Sequence, residues 1–259
     1  MFGRIATIAG NAFREAVRDR VLYNLVLFVL LLIGVAVFIG ELSGGQERKI
    51  VVDLGLSATL LFGVFIAIFV GVGLVYKEMD KRTLYALLAK PIRRWEFLLG
   101  KFAGLLLTLT VNTAAMAVGL FLALFYVNRA LHSADLVVLT AVYFILLKLA
   151  IIVALALLFS CFTTPFLSIC FTAGIYVTGL FVKDIRSFSD ITGNPALDRV
   201  AVWFSYLLPN FQNFDVMGAA AHGRAIPGAI VAQNTLYAAV YCAIVLAAAA
   251  VIFSRRNLK

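Results

Sequence analysis

The sequence predicts an all-α integral membrane protein with six transmembrane helices in a single domain, residues 1–259. Of its 259 residues, 63% are hydrophobic and only 14% are charged. Soluble domains contain about 45–50% apolar and about 25% charged residues, so the composition excludes a soluble globular enzyme. Disorder requires low hydrophobicity and high charge, and is excluded by the same numbers. Apolar runs of about 20 residues, the length that crosses the hydrocarbon core, recur along the chain.

Six segments meet this length and are predicted to span the membrane: 21–40, 51–76, 97–127, 136–160, 164–182 and 230–253. The segment before them, 2–20, has a different pattern. Polar residues such as Arg4 and Asn11 share one helical face, and apolar residues such as Ile5 and Ala12 share the other. This pattern predicts an amphipathic helix that lies in the membrane surface.

The distribution of basic residues predicts the orientation. With the N-terminus in the cytoplasm, inner segments hold 14 of the 22 Lys and Arg residues, whereas longer outer segments hold 7. Lys and Arg in short loops favour the cytoplasmic side. Both termini are therefore expected in the cytoplasm. The net charge of +9 does not indicate nucleic acid binding, because no basic stripe lies on a soluble face.

The inner segment 77–95 is predicted to contain a short helix between the second and third spans. Its first residues are densely charged, and Leu84 and Leu87 then recur at helical spacing. Pro91 disfavours helix at the residue before it, so a new helix is expected to begin near Arg93. A short helix held between two membrane helices could transmit force. The alternative is a solvated basic loop that only fixes the topology.

The outer segment 183–229 is interrupted by Pro195, Pro209 and Pro227 and contains many aromatic residues. Aromatic residues at this density favour the membrane–water interface. We expect outer helices that are partly re-entrant and cap the bundle. An ordinary amphipathic loop is the alternative.

The motifs of the inner segment resemble those of the ABC-2-type permeases. An acidic residue, Glu78, closes the second span, and a T-L-x-x-L-L-x-x-P run follows at 83–91. Arg93-Arg94 and Leu98–Lys101 then lead into the third span. The length is similar to that of the compact permeases linked to maturation of copper enzymes. One departure is Arg82, where the family usually has glycine.

This resemblance implies a subunit of an ABC exporter in the bacterial inner membrane. Two permease chains, as a homodimer surrounded by lipid, would form the translocation path. A separate ATPase chain, which binds ATP and Mg, would dock on each inner helix. The positions implied in that coupling are Glu78, Lys81, Arg82, Thr83, Leu84, Leu87, Pro91, Arg93 and Arg94. The motif Leu208-Pro209 with Phe214 lies where such permeases often have L-P-x-x-x-x-F.

No cofactor is expected on this chain. Residues 42–46 spell the LSGGQ signature of an ABC ATPase, but the sequence has no P-loop to hold a nucleotide. A Gly-Gly turn in a short outer loop explains these residues. The two histidines, His132 and His222, both lie in outer segments, so a His-based metal site or an embedded enzyme is not predicted.

Four polar residues within the spans are candidates for lining the path: Lys148, Asn112, Thr172 and Tyr176. A charge at the depth of Lys148 costs about 2.5–3.5 kcal/mol on insertion scales, so it should face protein or water. The alternative for the uncharged three is hydrogen bonding between helices, with close helix approach at Gly63, Gly71, Gly73 and Gly119.

Two other functions stay open at this point. A secondary transporter or channel would need acidic residues at mid-depth, and only Asp53, near a span end, lies within a predicted span. A membrane scaffold or signalling partner of an ATPase is compatible with the same pattern.

Overall fold

The computed structural model describes residues 2–16, 46–80, 94–129, 135–182, 184 and 208–255, and eight positions between 27 and 39. Within these ranges the secondary structure is helical, with no strand, and the all-α prediction is confirmed. The α-helices are α1 (Phe2–Ala16), α2 (Glu47–Asp80), α3 (Arg94–Asn128), α4 (Leu136–Ser160), α5 (Pro165–Leu180), α6 (Met217–Ala221) and α7 (Gly228–Arg255). A 3-10 helix, Phe211–Phe214, precedes α6.

Four of these helices, α2, α3, α4 and α7, are long and apolar enough to cross a membrane. The predicted span 164–182 corresponds to α5, which is apolar but has only 16 residues. At 1.5 Å per residue it is about 24 Å long, shorter than the hydrocarbon core of about 30 Å. In the predicted first span, the described positions, among them Leu27 and Phe28, are helical. The remainder of 21–40 lies outside the described residues, so six spans stay a prediction.

The helices alternate in direction between two ends of the bundle. At one end, which we call the cap end, Arg48 at the start of α2 contacts Asp135 just before α4 and the backbone of Ala221 in α6. At the other, the terminal end, Phe97 near the start of α3 stacks on Phe253 near the end of α7, with ring centroids 6.1 Å apart. The chain's last described helix therefore ends where α3 begins.

Helix α4 forms the centre of the bundle. In its most apolar stretch 72% of the residues are buried, compared with 33% for α7, which lies at the periphery. Helix α2 packs closely against α4 because glycines face it: a Cβ at Gly63 would lie 2.6 Å from Leu149, and one at Gly71 would lie 3.2 Å from Ala156. The predicted close approach is thus confirmed at these two positions. It is wrong for Gly73, because among the described residues no side chain and no distant backbone atom would lie within 4 Å of a Cβ at this position.

Helix α1 packs on α3 at the terminal end. Its buried residues, Ala12 and Ala16, lie on the apolar face predicted from the sequence, and a Cβ at Gly104 of α3 would lie 2.6 Å from Ala12. The Lys101 ammonium, almost fully buried, forms an ion pair of 3.7 Å with Glu15. Small residues on α3 thus let α1 approach closely, and a charge pair fixes its position. Placement of α1 in the membrane surface remains a prediction.

Candidate functional site

The predicted coupling segment lies mostly outside the described residues, which include neither 81–93 nor the side chains of Glu78 and Arg94. The named positions that fall outside are Lys81, Arg82, Thr83, Leu84, Leu87, Pro91 and Arg93. The structure does describe both attachments of the segment. Helix α2 continues unbroken to Asp80, and α3 begins at Arg94. With 34 and 35 residues, these helices are about 51 and 52 Å long, well beyond the hydrocarbon core.

Lys148 lies in the middle of α4 and is only 2% exposed. Within the described part of the chain, no carboxylate oxygen lies within 4.0 Å of its ammonium nitrogen. The 3-10 helix that ends before the exposed Asp215 packs against the helices of two predicted path residues. Phe214 packs on Phe144, which lies one helical turn before Lys148 in α4, and Phe211 packs on Tyr176 of α5. The structure therefore brings Tyr176, and the face of α4 that contains Lys148, to the same 3-10 helix.

The position of Asp215 is set by the 3-10 helix before it. Pro209 precedes this helix, and the Asn210 side chain caps it by accepting a hydrogen bond from the Gln212 backbone N–H at 3.2 Å. Asp215 ends it and accepts a longer bond, 3.4 Å, from the Met217 N–H that opens α6. Asn and Asp commonly bond the backbone two residues further on, and so favour turns of this kind.

Two buried phenylalanines anchor the 3-10 helix among α4, α5 and α7. Phe211 packs on Tyr176 of α5, with ring centroids 5.5 Å apart, and on Gly179, where a Cβ would lie 2.6 Å from its ring. Phe214 packs edge-on against Phe144 of α4 at 6.4 Å and against Tyr237 of α7 at 6.0 Å.

Phe211 and Phe214 are buried within the protein, at 0% and 1% exposure. The expected position of the aromatic residues of 183–229 at the membrane–water interface stays a prediction. Phe144 is one helical turn from Lys148, so the L-P-x-x-x-x-F motif ends against the same face of α4 that contains the buried charge.

The uncharged candidates differ in their hydrogen bonds. The Thr172 hydroxyl donates to the Ser168 carbonyl of its own helix at 2.7 Å, so it does not join two helices. Asn112 is buried in α3, and among the described residues neither its amide nitrogen nor its amide oxygen has a hydrogen-bond partner. Burial of an unpaired amide costs about 1–3 kcal/mol in protein mutational data. The described contacts do not connect Asn112 with Lys148.

A polar cluster at the cap end was not identified from the sequence. The Arg48 guanidinium donates to Asp135 Oδ1 at 3.0 Å through Nε and to the Ala221 carbonyl at 3.1 Å through Nη1. It thus connects α2, the start of α4 and α6. Asp135 and Ala221 follow Arg48 by 87 and 173 positions in the chain, so no local sequence pattern could have paired them with it. Among the described residues, no group of three or more His, Cys, Asp or Glu side chains could hold a metal ion.

Comparison with known protein families decides the class. The family described as ABC-2 family transporter protein matches residues 6–258, almost the whole chain. The chain belongs to the ABC-2 transporter family. As an ABC-2 protein it is a multi-pass membrane permease component of an ABC transporter, and membership of this family implies in general a partner ATP-binding subunit. Among curated proteins, the search found no match to this ABC-2 chain.

Proposed function

We propose that this chain is the permease subunit of an ABC exporter. It acts as a homodimer in the cell membrane and is driven by a separate ATPase subunit on the cytoplasmic side. The observation that supports this most strongly is the family match over residues 6–258. The four long apolar helices agree with a membrane-spanning role.

In this proposal, segment 77–95 is the docking site for the ATPase. The support is mechanical, because the segment is joined at both ends to the two longest described helices, α2 and α3. The turn between α4 and α5 contains only four residues, 161–164, and is tied by backbone hydrogen bonds such as Thr163 N to Phe159 O at 3.0 Å. Motion of a bound ATPase would therefore reach the bundle through α2 and α3.

The 3-10 helix would form the outer closure of the path, as the partly re-entrant part of the cap. It packs against α4, α5 and α7, and Asp215 directly follows Phe214, which contacts Phe144 one helical turn from Lys148. Its displacement would open the space between these helices and remove the opposite charge from Lys148. Lys148 of α4 and Tyr176 of α5 would then line the path. Thr172, one helical turn before Tyr176 on α5, would line it as well. Asn112 would line it from α3.

The proposal is tested by a single cysteine at Lys81, in a variant whose three native cysteines are replaced. The full complex is kept in native membranes. We expect this cysteine to crosslink to the ATPase subunit and to react with an impermeant maleimide only in inside-out vesicles. A matched cysteine at Arg224, near the cap end, should react only from outside and form no such crosslink. The reverse pattern of labelling, or a crosslink from Arg224 alone, would contradict the proposal.

A further inference from the structure

A groove of about 390 Å³ lies between the 3-10 helix and the cap-end half of α7. It is separate from the Lys148 region. The residues that line it are Asn213, Gln233, Asn234, Leu236, Tyr237, Val240, Tyr241 and Ile244. Its volume lies within the range of about 300–1,000 Å³ typical of small-molecule sites.

The lining changes in character along the helix. The residues nearest the cap end, Asn213, Gln233 and Asn234, are amides. Beyond them the aliphatic residues Leu236 and Val240 alternate with two tyrosines, and Ile244 forms the far end. From Gln233 to Ile244 the rise is about 16 Å. Among the described residues that line the groove, none has a charged side chain. This order of chemistry matches a molecule with a polar, uncharged end and an apolar tail.

Two of the polar groups are held in place by bonds within the protein. The buried Asn234 amide donates from Nδ2 to the Ile230 carbonyl of its own helix at 2.9 Å. The Tyr237 hydroxyl accepts from the Asn210 N–H at 3.0 Å, which leaves its own proton for a further bond. Polar groups with fixed orientations are those that give a site its specificity.

The apolar side of the groove is open. Leu236 is 67% exposed and Ile244 is 63% exposed. In a membrane-spanning helix such side chains face lipid or another chain, so a lipid-like molecule could reach the groove sideways.

From these observations we infer that the groove binds an amphiphile with an uncharged, hydrogen-bonding headgroup, such as a glyceride. The headgroup would lie against Asn213, Gln233 and Asn234, and an acyl chain would follow α7 towards Ile244. A phosphate headgroup would meet no cation among the lining residues, and is therefore not expected to be retained there. The inference concerns binding and does not depend on the direction or cargo of transport.

The experiment uses the full chain in nanodiscs of dioleoylphosphatidylcholine, and native mass spectrometry measures the retained probe. The probes are dioleoylglycerol, which is uncharged, and dioleoylphosphatidylglycerol, which is anionic. We expect dioleoylglycerol to be retained at least about tenfold better than the anionic probe, a difference of about 1.4 kcal/mol. Equal retention of both would show ordinary surrounding lipid and overturn the proposal, as would no retention of dioleoylglycerol.

Two variants and a control locate the binding. Leu236→Trp, at an exposed position, should fill the groove and abolish the preference for dioleoylglycerol. Gln233→Leu should reduce its retention about threefold to tenfold, the effect of one lost hydrogen bond. The control, Ala239→Trp, changes an exposed residue at nearly the same depth that does not line the groove. It should retain the probe as the unchanged chain does, and an equal loss in the control would overturn the proposal. Circular dichroism verifies that each variant keeps its helical content.

Discussion

Gly179 is the residue at which α5 meets the segment of the L-P-x-x-x-x-F motif. A Cβ there would lie 2.6 Å from both the Phe211 ring and the Pro209 carbonyl oxygen. The ring could move, but the backbone oxygen could move only with the segment that contains it. The absence of a side chain at this position is therefore what allows Phe211 to be buried.

We predict that Gly179→Ala lowers the free energy of unfolding of the purified chain by about 1–3 kcal/mol, the usual cost of overpacking. Its unfolding temperature should fall accordingly. Gly174→Ala is the matched control on the same helix, because a Cβ there meets nothing within 4 Å. It should be neutral or stabilise by up to about 1 kcal/mol, since Ala favours helix more than Gly does. Thermal unfolding followed by circular dichroism measures both. Equal effects of the two substitutions would contradict the packing described for Phe211.

Lys148 is buried and Asp215 is exposed, so substitutions at the two positions should change the stability in different directions. We predict that Lys148→Met raises the thermal stability, because it removes a buried charge that costs about 2.5–3.5 kcal/mol at mid-membrane depth. It should also lower ATP hydrolysis by the complex in liposomes if the charge lies in the path. Unchanged hydrolysis with raised stability would make Lys148 a packing residue only.

The double substitution tests whether the two residues interact. Asp215→Asn should lower the stability of the unchanged chain, because the buried ammonium loses a nearby opposite charge, but should have little effect in the Lys148→Met background. Asp184→Asn is the control. It removes another exposed carboxylate, one that accepts a hydrogen bond from Gln212 at 3.0 Å and is not proposed to interact with Lys148. It should have the same effect in both backgrounds. Additive effects of Lys148→Met and Asp215→Asn would show that the two residues act independently.

At the scale of whole helices, hydropathy placed four of the six predicted spans on long apolar helices. A helix that crosses a membrane must satisfy every backbone group internally, so an apolar run of sufficient length has few alternatives. The predicted span 136–160 coincides with α4, and 230–253 lies within α7.

The contacts between elements could not be predicted in the same way. The bond from Arg48 to Asp135 and the packing of Phe211 on Gly179 join residues far apart in sequence, and hydropathy contains no information about such pairs. The same is true of Lys101 with Glu15. The sequence could name Lys148 and Tyr176 as candidates because polar residues in a membrane are costly. It could not indicate that one 3-10 helix packs against both α4 and α5, the helices that contain them.

Segment 77–95 is predicted to couple the ATPase subunit to the membrane helices. The predicted short helix as a whole, rather than any single charge, should make this coupling. Each exposed ion pair contributes about 0–1 kcal/mol, so one substitution should weaken docking only slightly. Ala86→Pro should break the helix at a cost of about 3 kcal/mol or more, which corresponds to about a hundredfold in affinity. We expect this variant to reach the membrane in normal amounts but to retain little ATPase subunit on purification.

The control at the same position is Ala86→Leu, which preserves helix propensity and should retain the ATPase subunit. The quantity to compare is the ratio of ATPase subunit to permease after affinity purification of the complex. If Ala86→Pro retains as much ATPase as Ala86→Leu does, the segment is only a topological loop.

For the molecule as a whole, the polar residues proposed to line a path are mostly buried within one chain. Lys148, Asn112 and Thr172 are each no more than 3% exposed, and the 3-10 helix fills the space between α4, α5 and α7. A path lined by these residues therefore requires the helices to separate or the 3-10 helix to move. The arrangement described is a closed one, and the proposed function requires a second arrangement in which these residues meet water.

We predict that a cysteine at Thr172, in a variant that lacks Cys161, Cys170 and Cys242, reacts with an impermeant maleimide only while the complex hydrolyses ATP. In the resting complex the position is 0% exposed and should not react. A cysteine at Ala154, equally buried in the second half of α4, should stay unreactive in both states, because its surroundings are helix–helix packing without a polar lining. The reaction is followed by the mass added to the chain, with and without ATP. If Thr172→Cys and Ala154→Cys behave alike during hydrolysis, whether both react or neither does, no water-filled path opens at Thr172 and the site must lie on another face of the chain.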